Sequence, residues 1–163
     1  LIVVAIIGIL AAVGAAVIPG LLEKTKITAV TANHATMVRF INTGIAQCNT
    51  GVFNLNDIKT ASGGNTDPPC YDIIGNNKAT YTATTFSAHF EGIKLENVYG
   101  CNVSVNPGCP QIFATSQGCN ASQNPSGKGC TTITGVSNTI TVVTCTKDPC
   151  GASEKLTDII NIN

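Results

Sequence analysis

The chain has 163 residues, about the length of one domain. Lysine and arginine together number 9, as do aspartate and glutamate, and charged residues are only 11% of the sequence. A chain without net charge has no overall field to attract nucleic acid or an anionic membrane surface, so charge alone argues against both classes of binding protein.

The sequence opens with an apolar run, residues 1–22, that contains no charged side chain. As a helix this run rises about 33 Å, enough to cross a hydrocarbon core of about 30 Å. We predict a single membrane crossing. A secretory signal peptide is the alternative, because Gly14, Ala15 and Ala16 resemble a cleavage site. The side chains expected to form the apolar surface are Leu1, Ile2, Val3, Val4, Ile6, Ile7, Ile9, Leu10, Val13, Val17, Ile18, Leu21 and Leu22.

A break in the helix is expected inside this run. Pro19 has no N–H and its ring clashes with the carbonyl of Ala15, while Gly14 and Gly20 weaken helix on either side. The sequence therefore predicts a kink or a locally unwound stretch over residues 14–20.

A helical pattern continues beyond the apolar run. Polar residues appear from Glu23 onward, whereas apolar residues recur at three- and four-residue steps until Gly51 ends the pattern. We expect one helix with a stripe that packs on the rest of the protein. His34 interrupts this stripe, and we interpret it as a packing or interfacial histidine. The stripe consists of Ile27, Val30, Met37, Val38, Ile41 and Ile45.

Eight cysteines all lie outside the apolar run. Their spacings are wider and less regular than the paired ligands of zinc sites, so disulfides are favoured over metal, and disulfides imply an oxidising compartment outside the cytoplasm. Short loops close most readily, which favours pairing between neighbours. The predicted bridges are Cys48–Cys70, Cys101–Cys109, Cys119–Cys130 and Cys145–Cys150.

The remainder of the chain is rich in residues that favour strands. Threonine, valine, isoleucine and aromatic residues concentrate in segments that we predict as antiparallel strands on the helix stripe, with an irregular loop over residues 54–75. The strand segments are 78–86, 88–99, 111–116 and 131–146, the last with a turn at 135–138. The predicted fold is α+β, in which a long N-terminal helix packs on a small antiparallel sheet stapled by disulfides. It divides into residues 1–22, 23–50 and 51–163.

The titratable residues give little support for catalysis. His89 and Glu91 would share one face of a strand, but no nucleophile motif accompanies them, so we interpret them as structural. Asp148, Glu154 and Asp158 lack the ligand spacing of a calcium loop. We therefore predict no enzyme, no catalytic residue, no metal, no cofactor and no small-molecule substrate.

Two sequons are candidate glycosylation sites. They are Asn102-Val103-Ser104 and Asn120-Ala121-Ser122, and the serines and threonines of this region are alternative carriers of sugar.

The motif LIVVAIIGILAA, followed by a proline and an amphipathic helix, resembles the N-terminal helix of bacterial type IV pilins and pseudopilins. The cysteine loop 145–150 is similar to the small C-terminal disulfide loop of pilins. The resemblance implies a type IV pilin-like fold and a single-pass protein of the inner membrane. It further implies that a prepilin peptidase matures the chain, and that an inner-membrane assembly platform adds it to an extracellular helical filament made of copies of itself.

Three functions follow from this resemblance and from the apolar run. The first is a major pilin whose filament serves adhesion, twitching motility or DNA uptake, with contacts to surfaces or DNA. The second is a pseudopilin or minor pilin of a type II secretion or competence machine. The third is an extracytoplasmic binding domain that is merely tethered to the membrane.

Overall fold

The computed structural model of the chain describes residues 2–93, 95, 97–99, 113–114, 128–147 and 150–162, without the side chains of residues 15–17 and 113–114. It has α+β architecture, with one long helix, short helices and small sheets. The helices are α1 (Ile2–Asn49), α2 (Cys70–Ile73) and α3 (Ala79–Gly92), with a 3-10 turn at Ala152–Glu154. The strands are β1 (Ile58–Lys59), β2 (Asn65–Thr66), β3 (Phe113–Ala114), β4 (Thr131–Val136), β5 (Thr139–Cys145) and β6 (Lys155–Asn161).

Helix α1 is continuous across Pro19, so the locally unwound stretch predicted between Gly14 and Gly20 is wrong, whereas the alternative, a kink, stays a prediction. Proline removes one backbone hydrogen bond, and in a helix of 48 residues the remaining bonds maintain the helical backbone on both sides. The predicted end is confirmed. Helix α1 stops at Asn49, and Gly51 takes a φ of 89° while its N–H donates to the carbonyl of Cys48.

The main sheet has the order β3-β4-β5-β6. Strands β4, β5 and β6 pair antiparallel, and the short β3 pairs parallel with β4. The predicted hairpin within 131–146 is confirmed, with Ser137 and Asn138 between its strands. The predicted segment 111–116 is represented by β3 alone, and the rest of it lies outside the described residues. Strand β6 was not predicted.

The two strands predicted at 78–86 and 88–99 are wrong, because residues 79–92 form α3. Their buried side chains recur at three- and four-residue steps, which places Ala79, Ala83, Phe86 and Phe90 on one face of a helix. The predicted irregular loop 54–75 also contains regular structure, since β1 pairs with β2 and the helical turn α2 begins at Cys70.

Helices α1 and α3 bury their apolar faces in one core together with the sheet. Along β5 the buried residues Ile140, Val142 and Thr144 alternate with half-buried ones, which is the pattern of a strand with one face toward the core. Ile133 of β4 lies opposite Val142 and is buried with it. The largest fully buried apolar side chains of this core are Met37, Ile41, Leu55, Ile73, Phe86, Phe90, Ile133, Ile140, Val142 and Ile162.

Disulfides join Cys48 to Cys70 and Cys145 to Cys150, as the order of the cysteines predicted. Cys130 is also disulfide-bonded, but its predicted partner Cys119 lies outside the described residues. The predicted pair Cys101–Cys109 and the sequon residues Asn102 and Asn120 lie outside them as well. The Cys48–Cys70 bridge fixes the end of α1 to the start of α2.

Candidate functional site

The most unusual surface of the protein is the first part of α1, residues 2–22, which we call the apolar arm. Every large apolar side chain described there is exposed, from Ile2 at 78% to Leu22 at 56%. Among the predicted surface residues, Leu1 and the side chain of Val17 lie outside the described residues. The exposed ones are Ile2, Val3, Val4, Ile6, Ile7, Ile9, Leu10, Val13, Ile18, Leu21 and Leu22.

Helix α1 is long and apolar enough to cross a membrane. Its most apolar window has a mean hydropathy of 2.8, and none of that window is buried within the protein. A membrane anchor and a signal sequence both satisfy this criterion of length and composition. Since an exposed apolar face this large is unstable in water, the arm requires lipid or other protein chains around it.

In the second part of α1, the apolar stripe packs on the rest of the protein, as predicted. Val30, Met37, Ile41 and Ile45 are buried, and Ile27 and Val38 are half-buried. One helix therefore serves two environments, with its first part free of the domain and its second part inside the core.

Sequence periodicity missed the role of Phe40, which belongs to this same contact. Its ring stacks on His89 at a centroid distance of 4.3 Å and meets Phe86 and Phe90 edge-on at 5.9 and 5.6 Å. This aromatic cluster joins α1 to α3. Aromatic pairs of this geometry stabilise by about 0.5–1.5 kcal/mol beyond the area that they bury.

His34 lies buried in the stripe and connects α1 to the sheet, as a packing histidine should. Its Nε2 lies 2.8 Å from Oδ2 of Asp158 on β6, and its Nδ1 lies 2.8 Å from the hydroxyl of Thr144 on β5. The Thr144 hydroxyl in turn lies 2.7 Å from that of Thr131 on β4. We call these four residues the His34 chain.

The order Asp158, His34, Thr144 is that of a catalytic triad, but its environment is structural. Thr144 is only 1% exposed and Thr131 only 2%, so neither hydroxyl can meet a substrate. With the proton on Nε2, His34 donates to the carboxylate and accepts from Thr144, so both of its ring nitrogens have partners. The His34 chain thus holds the helix to three strands.

The shared strand face expected for His89 and Glu91 is wrong. Both residues lie on helix α3, where a separation of two places their side chains on different faces, and Glu91 is exposed while His89 is buried. The N–H of Lys59 donates to Nδ1 of His89 at 3.0 Å. Burial lowers the pKa of His89 below its ordinary value, and the positive charge of Lys59 lowers it further.

The acidic residues considered for calcium do not converge in the described part of the chain. Asp158 is bonded to His34, Glu154 accepts from the Ser153 hydroxyl at 2.6 Å, and Asp148 lies outside the described residues. Among the described residues, no three histidine, cysteine, aspartate or glutamate side chains are grouped as metal ligands.

A cluster that the sequence did not indicate lies where the apolar arm ends. The hydroxyl of Tyr99 donates to the carbonyl of Thr146 at 2.9 Å and lies 3.4 Å from Oε1 of Glu23. The ammonium groups of Lys26 and Lys128 each lie 5.4 Å from the centroid of the Tyr99 ring. We call Glu23, Lys26, Tyr99 and Lys128 the boundary cluster.

Comparison of the chain with protein-family models, with curated proteins and with solved structures found no match. Function must therefore be inferred from the apolar arm and from the groups around its base.

Proposed function

We propose that the chain is the structural subunit, or major pilin, of a type IV pilus. In this proposal the apolar arm anchors the chain in the inner membrane before assembly and forms the core of an extracellular filament afterwards. The observation that carries it is the division of α1, whose first part exposes an apolar surface all round while its second part is built into the core.

The size of the exposed apolar surface supports the proposal that the arm is buried by assembly with other copies of the chain. Eleven large apolar side chains are exposed between Ile2 and Leu22. At about 1.5–3 kcal/mol for each side chain that is fully buried, burial of all of them would contribute on the order of 15–30 kcal/mol. Lipid supplies this burial in the membrane, and parallel arms of neighbouring copies supply it in a filament.

The shape of the subunit supports an open polymer. Copies that associate through two different faces, head to tail, build a helical filament unless the rotation between them closes a ring. An arm that projects from one end of a folded domain offers such non-identical faces. A pilin-like motif, LIVVAIIGILAA with a following proline, favours this arrangement over a plain membrane tether.

The rest of the proposal follows from the same resemblance. A prepilin peptidase and an inner-membrane assembly platform would act on the chain, and copies of the chain would be its principal partners. The domain beyond the arm, rich in threonine and asparagine, would form the exterior that contacts surfaces or DNA in adhesion, twitching motility or DNA uptake.

The test is electron microscopy of filaments sheared from cells that express the protein, with mass spectrometry of the filament subunit. Long filaments that consist mainly of this chain are expected. Ile7→Lys, in the arm, should abolish them because the filament core cannot accommodate the charge. The matched control Val136→Lys changes a side chain that is 71% exposed on the β4–β5 hairpin and should leave filaments intact.

Two results would contradict the proposal. Membrane-bound chain without filaments would favour a pseudopilin or minor pilin. Adhesion, motility or DNA uptake that is unchanged after replacement of residues 2–22 by an unrelated transmembrane helix would favour a tethered binding domain. Retention of Ile7→Lys in the membrane fraction establishes that its defect is in assembly and not in insertion.

A further inference from the structure

We propose that strand β6 joins one filament to a neighbouring filament of opposite direction, by pairing edge to edge with β6 of a copy in that filament. The inference goes beyond the proposed function and rests on it, since the filaments supply the two copies. It is carried by the backbone of β6, which has a partner strand on one side only among the described residues.

Strand β6 lies at one edge of the main sheet, and the hydrogen bonds just beyond its two ends show which of its residues face β5. The carbonyl of Glu154 accepts from the N–H of Thr146, and the N–H of Ile162 donates to the carbonyl of Asn138. Because these bonds alternate along an antiparallel ladder, the even-numbered residues of β6 bond to β5 and the odd-numbered residues direct their N–H and C=O groups outward. The outward residues are Lys155, Thr157, Ile159 and Asn161.

The outward edge of β6 is accessible to another strand. All four outward residues are exposed, and the side chain of Ile159 lies in solvent although it is apolar. Thr157 and Ile159 are β-branched, which suits a strand. A lysine commonly protects such an edge from pairing, but Lys155 is the first residue of β6 and protects only that end. The half of the edge from Thr157 to Asn161 therefore remains open.

A second β6 strand suits this edge because it lacks the same backbone hydrogen bonds. Two antiparallel copies satisfy each other through one contact with two-fold symmetry. When the two-fold axis passes through Ile159, the two isoleucines lie opposite each other, and Thr157 of each copy lies opposite Asn161 of the other. Each of these three residue pairs exchanges two backbone hydrogen bonds, which gives six for the contact.

Charge favours this register over the one whose axis lies one residue away. An axis through Asp158 would place the carboxylates of the two copies directly opposite each other, which is destabilising. With the axis through Ile159, each Asp158 lies opposite Ile160 of the other copy. Asp158 also keeps its bond to His34 in this register, because that bond lies on the face of the sheet that meets α1.

The symmetry of the contact determines which copy is the partner. Helix α1 packs on the face of the sheet, where His34 bonds to both β5 and β6, so its axis runs along the sheet. A two-fold axis perpendicular to the sheet reverses every direction within it, and the apolar arms of the two copies therefore point opposite ways. Arms in one membrane or in one filament core point the same way. The contact must join copies from two filaments of opposite direction.

The test is electron microscopy of filaments sheared from expressing cells, with the fraction of filaments in side-by-side bundles as the measurement. Thr157→Pro removes an outward N–H and leaves the ladder with β5 intact, as proline on an edge strand permits. It should lower the bundled fraction about tenfold, whereas the control Thr157→Val keeps the N–H and should not. Ile159→Lys places two positive charges at the two-fold axis and should also abolish bundles. Its control is Val136→Lys, which adds the same charge at an exposed position of the β4–β5 hairpin.

Three results would contradict the inference alone. They are wild-type filaments that stay single at every filament concentration, bundles whose averaged images show filaments of the same direction, and bundles that persist in Ile159→Lys. Because Ile159→Lys changes an exposed side chain, it tests the contact even if Thr157→Pro does not fold. Absence of filaments from the wild type would instead contradict the proposed function, and the inference with it.

Discussion

His34 is the residue whose sequence position is most at odds with its surroundings, since it is a polar side chain in an apolar stripe. Burial of an imidazole without hydrogen-bond partners costs several kcal/mol, so its presence required partners from elsewhere in the chain. Those partners, Thr144 and Asp158, lie 110 and 124 residues away in sequence. The packing role was predictable from periodicity, whereas the partners were not.

Replacement of His34 by alanine should lower the free energy of unfolding by about 2–4 kcal/mol, because two hydrogen bonds and a packed ring are lost together. Chemical denaturation of the full chain in detergent measures this. Thr36→Ala is the matched control on the exposed side of the same helix, where the hydroxyl bonds only to the carbonyl of Ala32. A loss for His34→Ala no larger than that of the control would show that the His34 chain does not hold the helix to the sheet.

His89 predicts a pH dependence of stability. Its pKa in the folded protein is below the ordinary value of 6.5, so the unfolded chain binds a proton that the folded protein excludes. Its contribution to stability is therefore complete above about pH 6.5 and is lost as the pH falls toward the folded pKa. A protonated Nδ1 would also oppose the N–H of Lys59.

The variant His89→Gln keeps an acceptor for that N–H and removes the titration. Unfolding free energies of both proteins at pH 7.5, 6.5 and 5.5 should show a steeper loss in the wild type than in the variant. Parallel curves for the two proteins would rule out His89 as the origin of the pH dependence, since all other titrating groups are common to both.

At the scale of elements, α1 and the β4–β5 hairpin were predictable from the sequence, whereas the strands predicted in place of α3 were wrong. Threonines at 80, 82, 84 and 85 have high β propensity, and this signal masks the helical spacing of the buried alanines and phenylalanines. Strand β6 was missed for a different reason. Asp158 shares a face of this strand with the buried Ile160, whereas the neighbouring Ile159 is exposed, and this order obscures the usual alternation of apolar and polar residues. The exposed carboxylate of Asp158 bonds to His34, a residue far away in sequence.

The contact between α3 and β4 depends on Gly135. A Cβ at this position would clash with the carbonyl oxygen of Ala79 at the start of α3. The Thr80 hydroxyl also donates to the carbonyl of Gly135 at 2.9 Å, so the helix cannot shift without losing this bond. We expect Gly135→Ala to lower the free energy of unfolding by about 2–3 kcal/mol.

Thermal or chemical unfolding measures the effect, with the neighbouring change Val136→Ala as the control on the exposed side of the hairpin. The control should change stability by less than about 1 kcal/mol. If Gly135→Ala were as mild as the control, the close approach of α3 to the sheet would be wrong.

At the scale of the whole molecule, composition alone indicated the main organisation. The change from apolar to mixed residues at Glu23 predicts where the helix passes from free surface to core, and Val30 is the first buried residue among the side chains described along the helix. Cysteine order was sufficient for the two described disulfides because each closes a short loop. The boundary cluster was not predictable, since it combines residues from three distant parts of the chain.

The Cys48–Cys70 disulfide has a mechanical consequence when the helix and the domain are pulled apart. The bridge is covalent and lies at the last turn of α1, so the domain cannot peel away from the helix at that end. A load that pulls the domain off the helix must open the interface from the other end, where Tyr99 meets Glu23 and Lys26. Along α1, the hydrogen bonds of the His34 chain come next after this end. They would have to break before the aromatic cluster around Phe40 could separate.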